Sequence, residues 1–179
     1  SASMYRENAF RISMSTFKLL SRINAPELTK NDVDSGNVAF LLHDHTFGIT
    51  TDPLTQFACI FSALIHDVDH TGVSKSLQLA TLYKNRSVAE QNSVDLSWDL
   101  LQQPKFEELR KAIYTTEDKR AQFRSLVVQT VMATDIMDSD LKAQRNQRWE
   151  KAFSPDHTES EKDSTDRRAT IIIEHLIQA

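Results

Sequence analysis

Asp52-Pro53-Leu54-Thr55-Gln56-Phe57-Ala58-Cys59-Ile60-Phe61-Ser62-Ala63-Leu64-Ile65-His66-Asp67-Val68-Asp69-His70-Thr71-Gly72 is the stretch on which the reading of this 179-residue chain turns. Thr51 or Asp52 suits an N-cap, and Pro53 suits the first helical position, where its missing N–H is not needed. Leu54, Phe57, Ala58, Phe61, Leu64, Ile65 and Val68 follow at i, i+3, i+4, i+7 spacing, which predicts a helix with that face buried. Gly72 is the expected stop. Near the helix end stand His66, Asp67 and His70, whose imidazole nitrogens and carboxylate oxygens suit zinc and other divalent first-row metals. On a helix His66 and His70 share one side, while His66 and Asp67 diverge by roughly 100° at about 3.6 residues per turn. The two reach one ion only from the same side of a crevice. The plainer alternatives are a hydrogen-bonded core histidine and a solvated acidic pair, and spacing alone leaves them open.

Composition frames this helix. With 40% hydrophobic residues the chain has enough apolar material for one domain, or part of one, and nothing in it demands two. Three Gly and four Pro are too few for a turn-dense all-β fold, which favours an all-α one. The net charge of −4 is dispersed, with no Lys/Arg block for a phosphate backbone, so nucleic acid is not an expected partner. Cys59 stands alone, which excludes an internal disulfide and fits a reducing compartment. No secretory signal is evident, and no apolar run approaches the roughly 20 residues that cross a bilayer. The expectation is a soluble, intracellular chain without membrane contact of its own.

Outward from the central helix, Tyr5 to Leu20 carries Phe10, Met14 and Phe17 at helical spacing. Val38 to Leu42 leads into His43-Asp44-His45, a rival metal cluster, although the following Thr46-Phe47-Gly48 and Thr50-Thr51-Asp52-Pro53 suit a loop with exposed histidines. Helices are expected over Arg86 to Leu101, over Phe123 to Asp138 with Phe123, Leu126, Val127, Val131 and Met137 on one side, and over Ser164 to Gln178. Ser154 to Asp163, with His157, is expected to be a polar loop. Two further segments could serve a metal site. Ser87 and Glu90 form S-x-x-E, for which a capping box is the competing explanation. Ala133-Thr134-Asp135-Ile136 is expected inside a helix, where Thr134 and Asp135 either face a polar crevice or are solvated.

Together, Ile65-His66-Asp67-Val68-Asp69-His70-Thr71-Gly72-Val73-Ser74, Leu82-Tyr83-Lys84-Asn85-Arg86-Ser87-Val88-Ala89-Glu90 and Val131-Met132-Ala133-Thr134-Asp135-Ile136 resemble the class I cyclic nucleotide phosphodiesterase catalytic domain. Tyr5-Arg6-Glu7-Asn8-Ala9-Phe10 resembles the lead-in to that family's first histidine motif, so the resemblance spans nearly the whole chain. It implies a compact multi-helix, all-α domain, with residues 1–179 its N-terminal portion. It also implies hydrolysis of 3′,5′-cyclic AMP and/or cyclic GMP to 5′-monophosphates by a metal-activated hydroxide, with zinc at one position and magnesium or manganese at the other. Such paired ions stand about 3.5 to 4 Å apart and neutralise charge on the phosphoryl oxygens. By the resemblance, His66 is a zinc ligand and Asp67 the carboxylate bridging both metals. His70 orients metal-bound groups from behind, Glu90 and Thr134 hold waters of the second metal, and Asp135 accompanies Thr134. A regulatory domain outside this chain, or a membrane anchor placing it at a cytoplasmic face, is also in keeping with the family.

The chain departs from the family in four places. The family's H-N-x-x-H motif, source of the general acid and one zinc ligand, should follow Asn8-Ala9-Phe10, where Arg11-Ile12-Ser13 stands. The sequence stops at Ala179, where the family places its second zinc-binding Asp, so half of the expected zinc ligands are present. Gly72 to Leu82 looks several residues short, with Lys75 where the family usually shows Asn, and Gln91-Asn92-Ser93 replaces Asn-His-His after the glutamate. Segments missing at loop junctions would explain the gaps and leave the enzyme intact. The alternative is a catalytically inactive helical fragment or regulatory pseudoenzyme domain that binds a partner. A generic metal phosphohydrolase is the third reading.

Overall fold

The computed structural model describes residues 2–23, 46–69, 77–153 and 161–178. They form α1 (Ala2–Leu20), α2 (Pro53–Ile65), α3 (Leu77–Leu82), α4 (Val88–Gln102), a 3-10 turn (Pro104–Phe106), α5 (Glu107–Ile113), α6 (Glu117–Met132), α7 (Ser139–Phe153) and α8 (Glu161–Gln178). No strand occurs among the described residues, and the expected all-α class is what is found. None of the described helices is long and apolar enough to cross a membrane.

Helix α2 starts as its sequence requires. The Asp52 carboxylate accepts from Leu54 N at 3.2 Å and from the Thr55 hydroxyl at 2.6 Å, with Pro53 in the first turn. The helix lies between α1 and α6 and is buried on more than one side. Leu54, Ala58 and Ile65 join Val94 and Leu101 of α4 and Phe123, Val127 and Val131 of α6 in the main apolar cluster. The Phe123 ring is fully buried, with the Phe57, Phe61, Trp98 and Tyr114 rings between 5.6 and 6.4 Å from it. A second cluster gathers Cys59, Leu20, Ile49 and Ile173. A third is small: Ala63, Ala133 and Ile177. From the Phe57–Phe123 ring pair to the Ala63–Ala133 contact, α2 and α6 run in the same direction, so their C-terminal ends emerge together.

Several expectations are corrected. The expected stripe of α2 is only partly buried: Leu64 is 49% exposed, while Thr55, Cys59, Ser62 and Ala63 are buried instead. Small side chains are favoured where two other helices flank the same segment, because they let backbones come close. On α1 the Phe10, Met14 and Phe17 stripe is exposed, and Thr16 and Leu20 turn inward. Helix α6 ends at Met132 rather than at Asp138, so Thr134 and Asp135 lie beyond the helix and Met137 lies far outside the core. The Asp135 carboxylate accepts from Met137 N and Asp138 N, an Asx turn that competes with further helix. Helix α8 begins at Glu161, inside the stretch expected to be loop. Helix α7, absent from the sequence reading, is joined to α8 by a 2.7 Å salt bridge from Arg148 to the buried Glu174. His43, His45, His70, Gly72, Lys75 and His157 lie outside the described residues.

Candidate metal centre

The end of α2 is built by a short run of backbone contacts. His66 is its C-cap, with its N–H on Ser62 O at 2.9 Å, and Val68 N closes a tighter turn onto Ile65 O at 2.9 Å. Asp69 then sits at φ 58°, a left-handed conformation that Asp tolerates better than most residues. Regular helix thus stops at Ile65, and the expected His66/His70 helical register does not apply.

Within this turn the two metal-motif side chains meet. The carbonyl of Ala63 lies 2.9 Å from His66 Nδ1, and a carbonyl only accepts, so Nδ1 carries the proton. The other ring nitrogen, Nε2, stands 3.2 Å from Asp67 Oδ2, where a proton on Nε2 completes an ion pair and a deprotonated Nε2 offers its lone pair. Two acceptors at this separation repel unless a proton or a cation lies between them. A carbonyl behind the ring, accepting from Nδ1, is the arrangement that orients metal-binding histidines with Nε2 toward the ion. Burial pushes the His66 pKa down, but the hydrogen bond and charge of Asp67, with the Ala63 carbonyl and the charge of Glu90, outweigh it and raise the pKa.

The His66–Asp67 pair therefore fits a divalent cation by donor chemistry, and His66 and Asp67 would hold it. Tetrahedral zinc takes four ligands. Among the described residues no group of three or more His, Cys, Asp or Glu is placed to hold a metal ion, so the described part of the chain supplies two donors.

Glu90 is half-buried in the first turn of α4, near enough for its charge to act on His66. The capping box expected of Ser87 and Glu90 is not formed. Ser87 has φ 39°, makes no side-chain cap, and its buried hydroxyl has no partner. In the first turn of α4 the Gln91 side-chain amide donates back to Arg86 O at 2.7 Å. Thr134 and Asp135 reach the same end of the molecule because Ala133 shares a small buried cluster with Ala63 and Ile177. The Thr134 hydroxyl donates to Val131 O at 2.6 Å, and Gln178 of α8 donates to the Ala133 carbonyl.

Sequence reasoning missed what α4 does for the α2 turn. Ser93 Oγ donates to Val68 O at 2.7 Å, and Asn92 Nδ2 donates to Asp69 Oδ2 at 3.2 Å. The available signal was a pair of small polar residues in the stretch where the resemblance fails, Gln91-Asn92-Ser93.

The fold and the paired donors define an all-helical domain with a candidate divalent-cation site at the joined ends of two core helices. The 3′5′-cyclic nucleotide phosphodiesterase family model matches residues 35–179, and the chain belongs to that family. The phosphodiesterase domain of the RhoPDE fusion protein from the choanoflagellate Salpingoeca rosetta superposes with a TM-score of 0.56 at 16% identity, covering 99% of this chain and 62% of that one. In sequence, the chain is 36% identical over 105 residues to the mouse dual specificity calcium/calmodulin-dependent 3′,5′-cyclic nucleotide phosphodiesterase 1C, covering 55% of this chain and 15% of the relative. It is 36% identical over 85 residues to the mouse 1B protein, covering 44% of this chain and 15% of the relative. The matched regions thus span a minor part of these curated relatives.

Proposed function

We propose that residues 1–179 are a partial cyclic nucleotide phosphodiesterase catalytic domain, and that the protein hydrolyses 3′,5′-cyclic AMP and/or cyclic GMP to the 5′-monophosphate with the help of zinc and of magnesium or manganese. The observation that carries this reading is His66 Nε2 standing 3.2 Å from Asp67 Oδ2, with Nδ1 held on the Ala63 carbonyl. Family membership and the mouse relatives, named as dual specificity 3′,5′-cyclic nucleotide phosphodiesterases, support the substrate class. When bound, a divalent ion supplies Lewis-acid charge at the phosphoryl oxygens and acidifies water toward neutral pH. His66 and Asp67 would hold it. Glu90 and Thr134 would orient water near it, with Asp135 fixing the turn that carries Thr134, and His70 would orient the first donors by family correspondence. A substrate phosphodiester is an anion, so two acidic side chains beside it are compatible with binding only when cations offset their charge.

In this reading the protein works inside the cell, in the cytoplasm or at the cytoplasmic face of a membrane, and a regulatory domain outside this segment controls it. The test is hydrolysis of cyclic AMP and cyclic GMP by the purified protein, with intact mass recorded, before and after metal stripping and re-addition of zinc with magnesium. Metal-dependent release of 5′-monophosphate is expected. A preference for linear nucleotides would overturn the substrate class. Absence of turnover from a metal-loaded protein would overturn the enzyme in favour of a partner-binding pseudoenzyme.

A further inference from the structure

The turn from His66 to Asp69 leaves α2 at its last regular residue, and its main-chain direction decides whether the Asp67 carboxylate meets His66 Nε2. His66 is aimed from within its own helix by the Ala63 carbonyl. The two residues after Asp67 are held from outside α2. The carbonyl of Val68, immediately after it, accepts from Ser93 Oγ at 2.7 Å across 25 residues of sequence. The carboxylate of Asp69 accepts from Asn92 Nδ2 at 3.2 Å, and Asp69 is the residue in the left-handed conformation. Both donors are inside the protein, Ser93 fully buried and Asn92 at 5% exposed. A buried hydroxyl or amide is there at a desolvation cost that its hydrogen bond must offset, so polar side chains at these positions need a purpose that apolar ones would not serve.

We propose that Asn92 and Ser93 are positioning residues for the cation site, a strut from α4 that sets the bite between His66 Nε2 and the Asp67 carboxylate. The same helix carries Glu90 one turn before Ser93, at i and i+3, on the same side. The strut therefore also fixes where Glu90 stands relative to the pair. In this chain Gln91-Asn92-Ser93 replaces the family's usual sequence after the glutamate, so the device is built from this chain's own residues. The proposal rests on the reading of His66 and Asp67 as cation ligands.

The test uses the whole chain, stripped of metal, with zinc alone as titrant in calorimetry and amide hydrogen exchange as the second readout. The double variant Asn92→Ala/Ser93→Ala is expected to bind zinc about 10-fold or more weakly, the scale seen when groups behind metal ligands are removed. Amides of residues 66–69 should exchange faster in it, while those of the α6 core, Phe123 to Val131, stay protected. Asn92→Asp, which sets a carboxylate against Asp69, should do worse than Asn92→Ala, and Asn92→Gln should recover part of the loss through its retained amide. Unchanged zinc affinity in the double variant, or protection lost equally in α6, would overturn the strut. His66→Ala separates the two readings: if it abolishes zinc binding while the double variant does not, only the strut fails, and if it leaves zinc binding intact, the site and the strut both fail.

Discussion

Two helix ends carry the residues that the family resemblance marks, and they are built differently. The turn after α2, residues 66–69, is held by α4 through Ser93 and Asn92. The turn after α6, residues 133–138, is closed largely by its own side chains: Thr134 on Val131 O, Asp135 on the amides of Met137 and Asp138, and Asp138 on the amides of Asp140 and Leu141. From elsewhere, Gln178 reaches Ala133 O. At the tip of the second turn Met137 is 87% exposed, whereas the first turn lies against buried side chains of α4. A turn closed by neighbours in sequence keeps its shape when the fold loosens. A turn that a distant helix helps to hold depends in part on tertiary packing, and the first turn is the one where two donors must stand within bonding reach of one ion.

The largest effect should come from removing what holds both ends up. Phe123→Ala deletes the ring at the centre of the aromatic cluster and should cost about 3–5 kcal/mol. Thermal and urea unfolding check it, and a loss below about 1 kcal/mol would show that the two turns do not hang from this core. Asp67→Ala removes a donor outright and should eliminate metal-dependent hydrolysis, a larger loss than the roughly 10–100-fold seen when a ligand's supporting partner is removed. Normal turnover of cyclic nucleotide by this variant would mean that the first turn is not the site. Glu90→Ala should lower turnover by about 10-fold with little change in zinc content, measured by elemental analysis beside the rate.

Smaller effects sharpen the contrast. Asp135→Ala breaks two local bonds and should cost roughly 0.5–1.5 kcal/mol of stability, with zinc affinity unchanged. If zinc affinity fell as much as in the α4 double variant, the local and the distant turn would be equivalent after all. The smallest effect concerns the body of α2. Burial pushes the Cys59 thiol up to about 12, so below pH 9 it stays protonated and unreactive in the folded chain. Its raised value means that its contribution to stability is complete below the ordinary thiol range and fades as pH rises toward 12. Labelling by a thiol reagent at pH 8 should therefore track global unfolding. Labelling much faster than unfolding would show that α2 itself opens, not merely its end.

The start of α2 could be read from Asp52-Pro53 alone, because a cap and a first-turn proline act through bonds within three residues. Phe123, Val127 and Val131 were likewise readable as a buried stripe. Phe10, Met14 and Phe17 were not: periodicity identifies the helix, but nothing in it says which face another element will cover. The same holds for Ser87, whose capping pattern is correct in sequence yet whose backbone adopts φ 39°.

By itself, then, the sequence determined the helical class, the family and the residue types of the candidate site, because propensity, capping and motif chemistry are local properties. Tertiary structure decided the rest. The ends of α2 and α6 come together through Ala63 and Ala133, 70 positions apart in number, and α4 supplies Ser93 and Asn92 to the turn that brings His66 and Asp67 face to face. Those juxtapositions depend on which helices pack side by side, and buried hydrogen bonds between distant segments are satisfied only once that packing exists.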